Sequence, residues 1–86
     1  MNKVIRDMVD VSLNADYVVP SIYRGSRMMT CKGIHCNTAG TVVVVMSDGT
    51  SRTLKVSAGT LEIDGIKTIK STGNGTTVGA VSILYG

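Results

Sequence analysis

The residues of this 86-residue chain that could do chemistry lie in two short clusters. Cys31, His35 and Cys36 could bind a metal ion, or a Cys–His pair could act as nucleophile and base. A structural zinc site needs four ligands, and neighbours such as His35 and Cys36 point to opposite faces of a strand. We therefore expect two reduced thiols that pack as small apolar residues, with a disulfide or a metal site as the alternatives.

The second cluster is a pair of carboxylates, Glu62 and Asp64, of the kind that general acid–base chemistry uses. Both flank a turn at Gly65, so we interpret them as solvated surface. Glycines between residues 73 and 79 mimic a phosphate-binding loop, but the strand, helix and lysine of such a loop are missing. The sequence thus predicts no enzyme, no cofactor and no metal.

Composition favours an all-β fold. Apolar residues make up 43% of the chain and charged residues 17%, while Val, Ile and Thr account for 29 of the 86 residues. Apolar runs alternate with glycine-containing turns, as in a small antiparallel β-sandwich or barrel-like domain. We predict strands at residues 28–34, 41–47, 50–56, 60–64, 66–71 and 77–85. Asp48 and Gly49 predict a two-residue hairpin between the second and third of these strands.

The first 17 residues differ from the rest, because their apolar residues fit a helical and an alternating period equally well. Pro20 marks a boundary after them. We therefore predict an N-terminal arm at residues 1–17, of undecided conformation, and a β-domain at residues 18–86. We expect the arm to be dispensable for folding and needed for attachment.

Two predicted strands are apolar on both faces, namely residues 42–46 and residues 78–85. So small a domain can cover one face with its own core, and another subunit is the simplest cover for the other. We therefore expect a homo-oligomer, with a trimer favoured. The predicted oligomer or core interface comprises Val42, Val43, Val44, Val45, Met46, Val81, Ile83 and Leu84.

The charge of the chain is +3, and its basic bias is local. Arg24, Arg27 and Lys32 lie in a stretch without acidic residues, which we interpret as a docking site for an acidic protein surface. Nucleic acid is a disfavoured alternative, since only Tyr17 and Tyr23 are near enough for base stacking. A small redox or metal protein is the other alternative. No apolar run predicts a signal peptide or a membrane span, so we expect a soluble protein.

A series of turn and strand motifs resembles a group of small virion proteins of tailed bacteriophages. It extends over about residues 18–86, and the first 17 residues do not match. Cys31 and Cys36 are not typical of the group, and Glu62 and Asp64 stand where it often has a proline. The matching elements are Pro20 and Ser21, Gly33 and Ile34, Ala39 and Gly40, residues 42–45, residues 48–50, residues 58–61, residues 67–70, Thr72 and Gly73, and residues 83–85.

The resemblance implies a non-enzymatic structural protein of the virion, assembled in the host cytoplasm. It implies a minor capsid protein that decorates or cements the head, or one that forms the base of a head fibre or spike. The implied partners are the major capsid protein or a fibre or spike protein. A neck or tail adaptor protein is the alternative within the same group. The motifs are mostly turns and strand cores, so they carry fold and context and indicate no reactive group.

Overall fold

The computed structural model describes residues 5–86, with the side chain of Arg24 outside the description. These residues form antiparallel strands and one short 3₁₀ turn at Thr72–Asn74, which confirms the predicted all-β class. None of the helical residues described here forms a segment long and apolar enough to cross a membrane. The strands are β1 Asp7–Val11, β2 Tyr17–Val18, β3 Ile22–Arg24, β4 Arg27–Met29, β5 Cys31–Cys36, β6 Gly40–Met46, β7 Ser51–Val56, β8 Gly59–Glu62, β9 Ile66–Ile69 and β10 Val81–Tyr85.

Eight of the strands form two four-stranded sheets, in the orders β1-β10-β5-β8 and β2-β9-β6-β7. The chain changes sheet at its connections, apart from the two hairpins that join β6 to β7 and β3 to β4. Strands β3 and β4 form a separate two-stranded hairpin. The inner faces of the two sheets meet in one apolar cluster, which is the arrangement of a β-sandwich.

The core is built from branched side chains at alternate positions of the central strands, as a pleated strand requires. β5 and β10 contribute Ile34, Val81 and Ile83 from one sheet, and β6 contributes Val42 and Val44 from the other. Tyr85 is the one aromatic side chain among the fully buried residues described. Aliphatic and sulfur-containing side chains therefore fill most of a core that lacks Phe and Trp.

The two strands that the sequence shows as apolar on both faces differ in the structure. On β10, Leu84 points to the face opposite Ile83, and yet it is only 5% exposed within the single chain. On β6, Val42 and Val44 are fully buried. The other large apolar residues of β6, Val43, Val45 and Met46, remain half-buried. A need for a second subunit therefore does not follow from β10, and the outer face of β6 is only partly open.

Part of the cover on the outer face of β6 comes from residues 70–77 of the same chain. A Cβ atom placed on Gly75 would lie 3.1 Å from the Cγ2 atom of Val43. The Thr76 hydroxyl donates to the Lys70 carbonyl at 2.7 Å and accepts from the Val43 amide at 3.1 Å. The Thr77 hydroxyl accepts from the Thr41 amide at 2.8 Å. Two threonine side chains thus replace part of the backbone ladder beside β6.

The segment that the sequence predicts to be an arm carries a strand of the sandwich. β1 pairs along its whole length with β10, from Asp7 opposite Tyr85 to Val11 opposite Val81. Val11 and Leu13 are buried in the common core. Residues 7–13 are therefore an integral part of the fold, contrary to the expectation that the arm is dispensable for folding.

Asp16 fastens the end of this segment to the 3₁₀ turn. Its carboxylate accepts hydrogen bonds from the Ser71 amide at 2.8 Å, the Asn74 side chain at 2.9 Å and the Lys70 ammonium at 3.2 Å. These bonds favour the ionised form, with the Ser71 amide contributing most, and so they hold the pKa of Asp16 well below its usual range. The contribution of the tether to stability is complete above the ordinary pKa range of an aspartate and declines as the pH falls below it, because the unfolded chain then binds a proton that the folded chain does not.

The β6–β7 hairpin lies where the sequence predicts it, but its turn is of another type. Gly49 has a φ of +88°, and among the described residues no residue other than glycine has a positive φ. The Gly49 amide donates to the Met46 carbonyl at 2.9 Å, and the Met46 amide donates to the Thr50 carbonyl at 2.8 Å. This is a three-residue loop with Gly49 at the bulge position. The Asp48 carboxylate accepts from the Thr50 amide at 2.9 Å, which keeps Asp48 inside the loop.

Candidate docking surface

The β3–β4 hairpin is the one element, among the described strands, that belongs to neither sheet of the sandwich. Its register places Ile22 opposite Met29, Tyr23 opposite Met28 and Arg24 opposite Arg27. Successive residues of a strand point to opposite faces, so Ile22 and Met29 share one face and the Tyr23 and Met28 pair occupies the other. The turn between the two arginines contains Gly25, with a φ of +63°.

The inner face of the hairpin holds it to the sandwich. Met29 is 1% exposed and belongs to the core cluster, against which Ile22 also packs. At the base of the hairpin, Thr30 and Gly86 exchange two backbone hydrogen bonds, of 3.2 and 3.1 Å. The hydroxyl of Tyr85 donates to the Pro20 carbonyl at 2.7 Å. Tyr85 and Gly86 therefore bind the chain just before β3 and just after β4.

The buried hydroxyl of Tyr85 makes the stability of the fold sensitive to alkaline pH. Burial is the main cause that raises the pKa of Tyr85 from 10.0 to about 12. The folded state therefore favours the neutral phenol, whose contribution is complete below pH ~10 and is lost as the pH rises toward ~12. We expect the wild-type chain to lose roughly 2–3 kcal/mol of unfolding free energy over this range relative to Tyr85→Phe.

Urea unfolding of both chains at several pH values between about 8 and 12 measures this difference. Tyr85→Phe should itself be less stable at neutral pH by about 1 kcal/mol, because the Pro20 carbonyl loses its donor. A stability difference between the two chains that does not change with pH would contradict the role given to the Tyr85 hydroxyl.

The outer face of the hairpin presents large apolar side chains to solvent. Tyr23 is 65% exposed and Met28 is 54% exposed, and they lie directly across from each other. Arg27 is exposed beside them, whereas the side chain of Arg24 lies outside the described residues. Tyrosine, methionine and arginine are the side chains enriched in protein–protein interfaces. The combination is thus typical of a surface that another protein covers.

The structure separates the three predicted docking residues into two places. Arg24 and Arg27 face each other at the tip of the hairpin. Lys32 lies beyond its base, on β5, in the wall of an open cleft of about 370 Å³ that Asp64 and Lys67 also line. We define the docking surface by Tyr23, Met28 and Arg27, with Lys32 in the neighbouring cleft.

The residues that suggested a metal or a nucleophile do not come together. His35 is exposed, whereas Cys31 and Cys36 are buried thiols that are not joined by a disulfide. The two cysteines lie on the same strand, separated by roughly 15 Å at the usual rise per residue, which is too far for a disulfide. Burial raises the pKa of the Cys36 thiol. Residues 5–86 hold no group of three or more His, Cys, Asp or Glu side chains that could bind a metal ion.

A bulge explains why both cysteines are buried although Cys36 lies five positions after Cys31, an offset that puts two side chains of a regular strand on opposite faces. The register between β10 and β5 shifts between Leu84 and Tyr85, so that Leu84 faces Gly33 and Tyr85 faces Cys31. The extra residue on β5 is Lys32, and it returns Cys31 to the inner face. The same shift turns Lys32 into the cleft wall.

Comparison of the chain with known protein families, with curated proteins and with solved structures found no match.

Sequence reasoning found the basic residues of the hairpin and missed its apolar pair. The sequence predicted a single strand at residues 28–34, whereas the structure has two strands there, β4 before Thr30 and β5 after it. Tyr23 was considered only as a platform for stacking bases. The missed signal is the match of residues 22–24 with residues 27–29 around Gly25 and Ser26, which is typical of a short hairpin.

Proposed function

We propose that this protein is a non-enzymatic structural component of a tailed-phage particle that docks on other virion proteins through the β3–β4 hairpin. The observation that carries the proposal is the exposed Tyr23 and Met28 pair on an element outside both sheets. The turn and strand motifs of residues 18–86 supply the virion context. In this role the chain decorates or cements the capsid, or forms the base of a fibre or spike.

The chemistry of the hairpin favours a protein partner with an acidic rim. Tyrosine and arginine are enriched among the residues that contribute most to binding, and such residues typically lie where water is excluded. Arg27 would then meet acidic side chains at the edge of the contact, where charge pairs set orientation more than affinity. The excess positive charge of the chain fits the same partner.

The positions of the tyrosines argue against single-stranded nucleic acid as the partner. Stacking needs several exposed rings along one groove. Tyr85 is fully buried, and Tyr17 is half-buried against the core, which leaves Tyr23 as the exposed ring. We therefore favour the protein partner.

Substitution of the hairpin pair tests the proposal. In the double variant Tyr23→Ser, Met28→Ser, we expect the number of copies in gradient-purified phage particles to fall at least about tenfold, since losing such anchors costs about 2 kcal/mol or more. Quantitative mass spectrometry of the particles measures the copy number. Circular dichroism should show an unchanged fold, because both side chains point away from the core.

A second double variant provides a matched control. Val18 and Met8 are 65% and 55% exposed, almost the same as Tyr23 and Met28, and they lie on strands of the sandwich. Val18→Ser, Met8→Ser should leave the copy number unchanged. Equal losses in both variants, or a wild-type chain missing from purified particles, would contradict the proposal.

A further inference from the structure

β7 is the outer strand of its sheet and has a neighbour, β6, on one side. The hydrogen bonds of the hairpin show which backbone groups of β7 point outward. The Met46 amide donates to the Thr50 carbonyl, so residues 46 and 50 form a hydrogen-bonded pair. Such pairs alternate along an antiparallel ladder. Arg52, Leu54 and Val56 therefore bond to β6, whereas Ser51, Thr53 and Lys55 direct their amide and carbonyl groups away from it.

The far side of β6 supports this assignment independently. The Thr41 carbonyl accepts from the Thr77 amide and the Val43 carbonyl accepts from the Lys70 amide, each at 2.8 Å. The odd-numbered residues of β6 thus bond to the segment opposite β7, and the even-numbered residues are left to pair with β7. Ser51, Thr53 and Lys55 are all exposed.

The outward groups of β7 match those of a second β7 in one symmetric register. A two-fold axis normal to the sheet places two copies of β7 side by side and antiparallel. When Thr53 faces Thr53 of the second copy, Ser51 faces Lys55, and all three outward residues of each strand find an outward residue. Each such pair exchanges two hydrogen bonds, which gives about six across the axis.

The side chains allow this register and disfavour the two registers that are shifted by two residues. It sets Arg52 opposite Leu54 and Lys55 opposite Ser51, so that no cation directly faces another. A slip of two residues in one direction puts Arg52 opposite Arg52, and a slip in the other direction leaves Ser51 without a partner. Cationic side chains on an outer strand commonly prevent strand pairing, and here they restrict it to one alignment.

We propose that two copies of this protein associate through β7, about a two-fold axis at Thr53, and join their four-stranded sheets into one continuous sheet. The inference goes beyond the proposed function and assigns a contact to the self-association that the sequence leads us to expect. A two-fold contact closes at two copies, so it replaces the trimer favoured by the sequence with a dimer. The two Arg52 side chains lie on a diagonal across the axis, and added salt should therefore tighten the dimer.

Proline substitution tests the contact. Thr53→Pro removes an outward amide and leaves the hydrogen bonds to β6 in place. In sedimentation equilibrium at micromolar concentration, we expect a wild-type dimer and at least about a tenfold increase in the dissociation constant for Thr53→Pro. Thr60→Pro is the matched control, because Thr60 is exposed on β8, the outer strand of the other sheet. It should leave the dimer intact.

A second variant covers the case in which proline prevents folding. Thr53→Lys places two ammonium groups face to face at the axis, and it should weaken the dimer at low salt and restore it partly at high salt. A monomeric wild-type chain, or variants at residue 53 that dimerise as the wild type does, would overturn the inference. The copy number in phage particles is a separate measurement. A dimer absent from particles would contradict the proposed function alone, and a particle-bound monomer would contradict the β7 contact alone.

Discussion

A chain that lacks residues 1–17 should fail to fold cooperatively. Val11 and Leu13 are buried in the core, and burying side chains of this size contributes about 1.5–3 kcal/mol each. The deletion also removes the ladder between β1 and β10 and the three hydrogen bonds that Asp16 accepts. Domains of this size are stable by only about 4–13 kcal/mol, so the combined loss is a large part of the total. Circular dichroism and urea unfolding of the truncated chain measure the effect.

Two point variants show whether the effect of the deletion comes from lost core packing or only from the shorter chain. Leu13→Ala should lower the free energy of unfolding by about 2–5 kcal/mol, because it leaves a cavity in the core. Met8→Ala removes a side chain that is 55% exposed on the same segment and should change stability by no more than about 0.5 kcal/mol. A truncated chain with native stability would show that the segment is indeed a dispensable arm.

Replacement of Thr76 by Val should lower the free energy of unfolding by about 2–4 kcal/mol, although the two side chains have nearly the same shape. Thr76 is 2% exposed, and its hydroxyl serves both the Lys70 carbonyl and the Val43 amide. Valine would leave both groups without this partner at a site where little water can replace it. Denaturant unfolding of the purified chain measures the loss.

The conservative variant Thr76→Ser separates the hydroxyl from the methyl group. Serine keeps both hydrogen bonds and should cost only about 1 kcal/mol for the lost methyl group. The proposed role of the hydroxyl predicts that serine is clearly the better replacement. Equal losses for valine and serine would instead assign the effect to packing.

Period and turn chemistry were enough to predict most of the sandwich from the sequence. The runs around residues 41–47 and 50–56 match β6 and β7 within a residue or two, because β-branched residues on both sides of an Asp-Gly turn favour a hairpin. The predicted strand at 77–85 is shorter in the structure, since residues 77–80 belong to no strand.

The first 17 residues could not be interpreted from the sequence because their pattern fits two periods. Val9 and Val11 become strand residues through pairing with Ile83 and Val81 near the other end of the chain. Such long-range pairing leaves no signal in the sequence of residues 1–17 itself. The same reason explains Leu84, which the sequence shows only as apolar and which one chain is able to bury.

The candidate docking surface was predictable in charge and not in shape. The basic residues between Arg24 and Lys32 are visible in the sequence. The exposure of Tyr23 and Met28 on one face depends on the register of the hairpin, which was not predicted from the sequence. The cleft position of Lys32 depends on a bulge in β5 that the composition does not reveal.

The most direct test of the account is a single-particle reconstruction of phage particles that contain this chain. We expect the outer face of the β3–β4 hairpin to lie against a capsid, fibre or spike protein, with Tyr23 and Met28 covered and Arg27 beside acidic side chains. A particle in which the hairpin points into solvent while another face makes the contact, or one without density for the chain, would contradict the account.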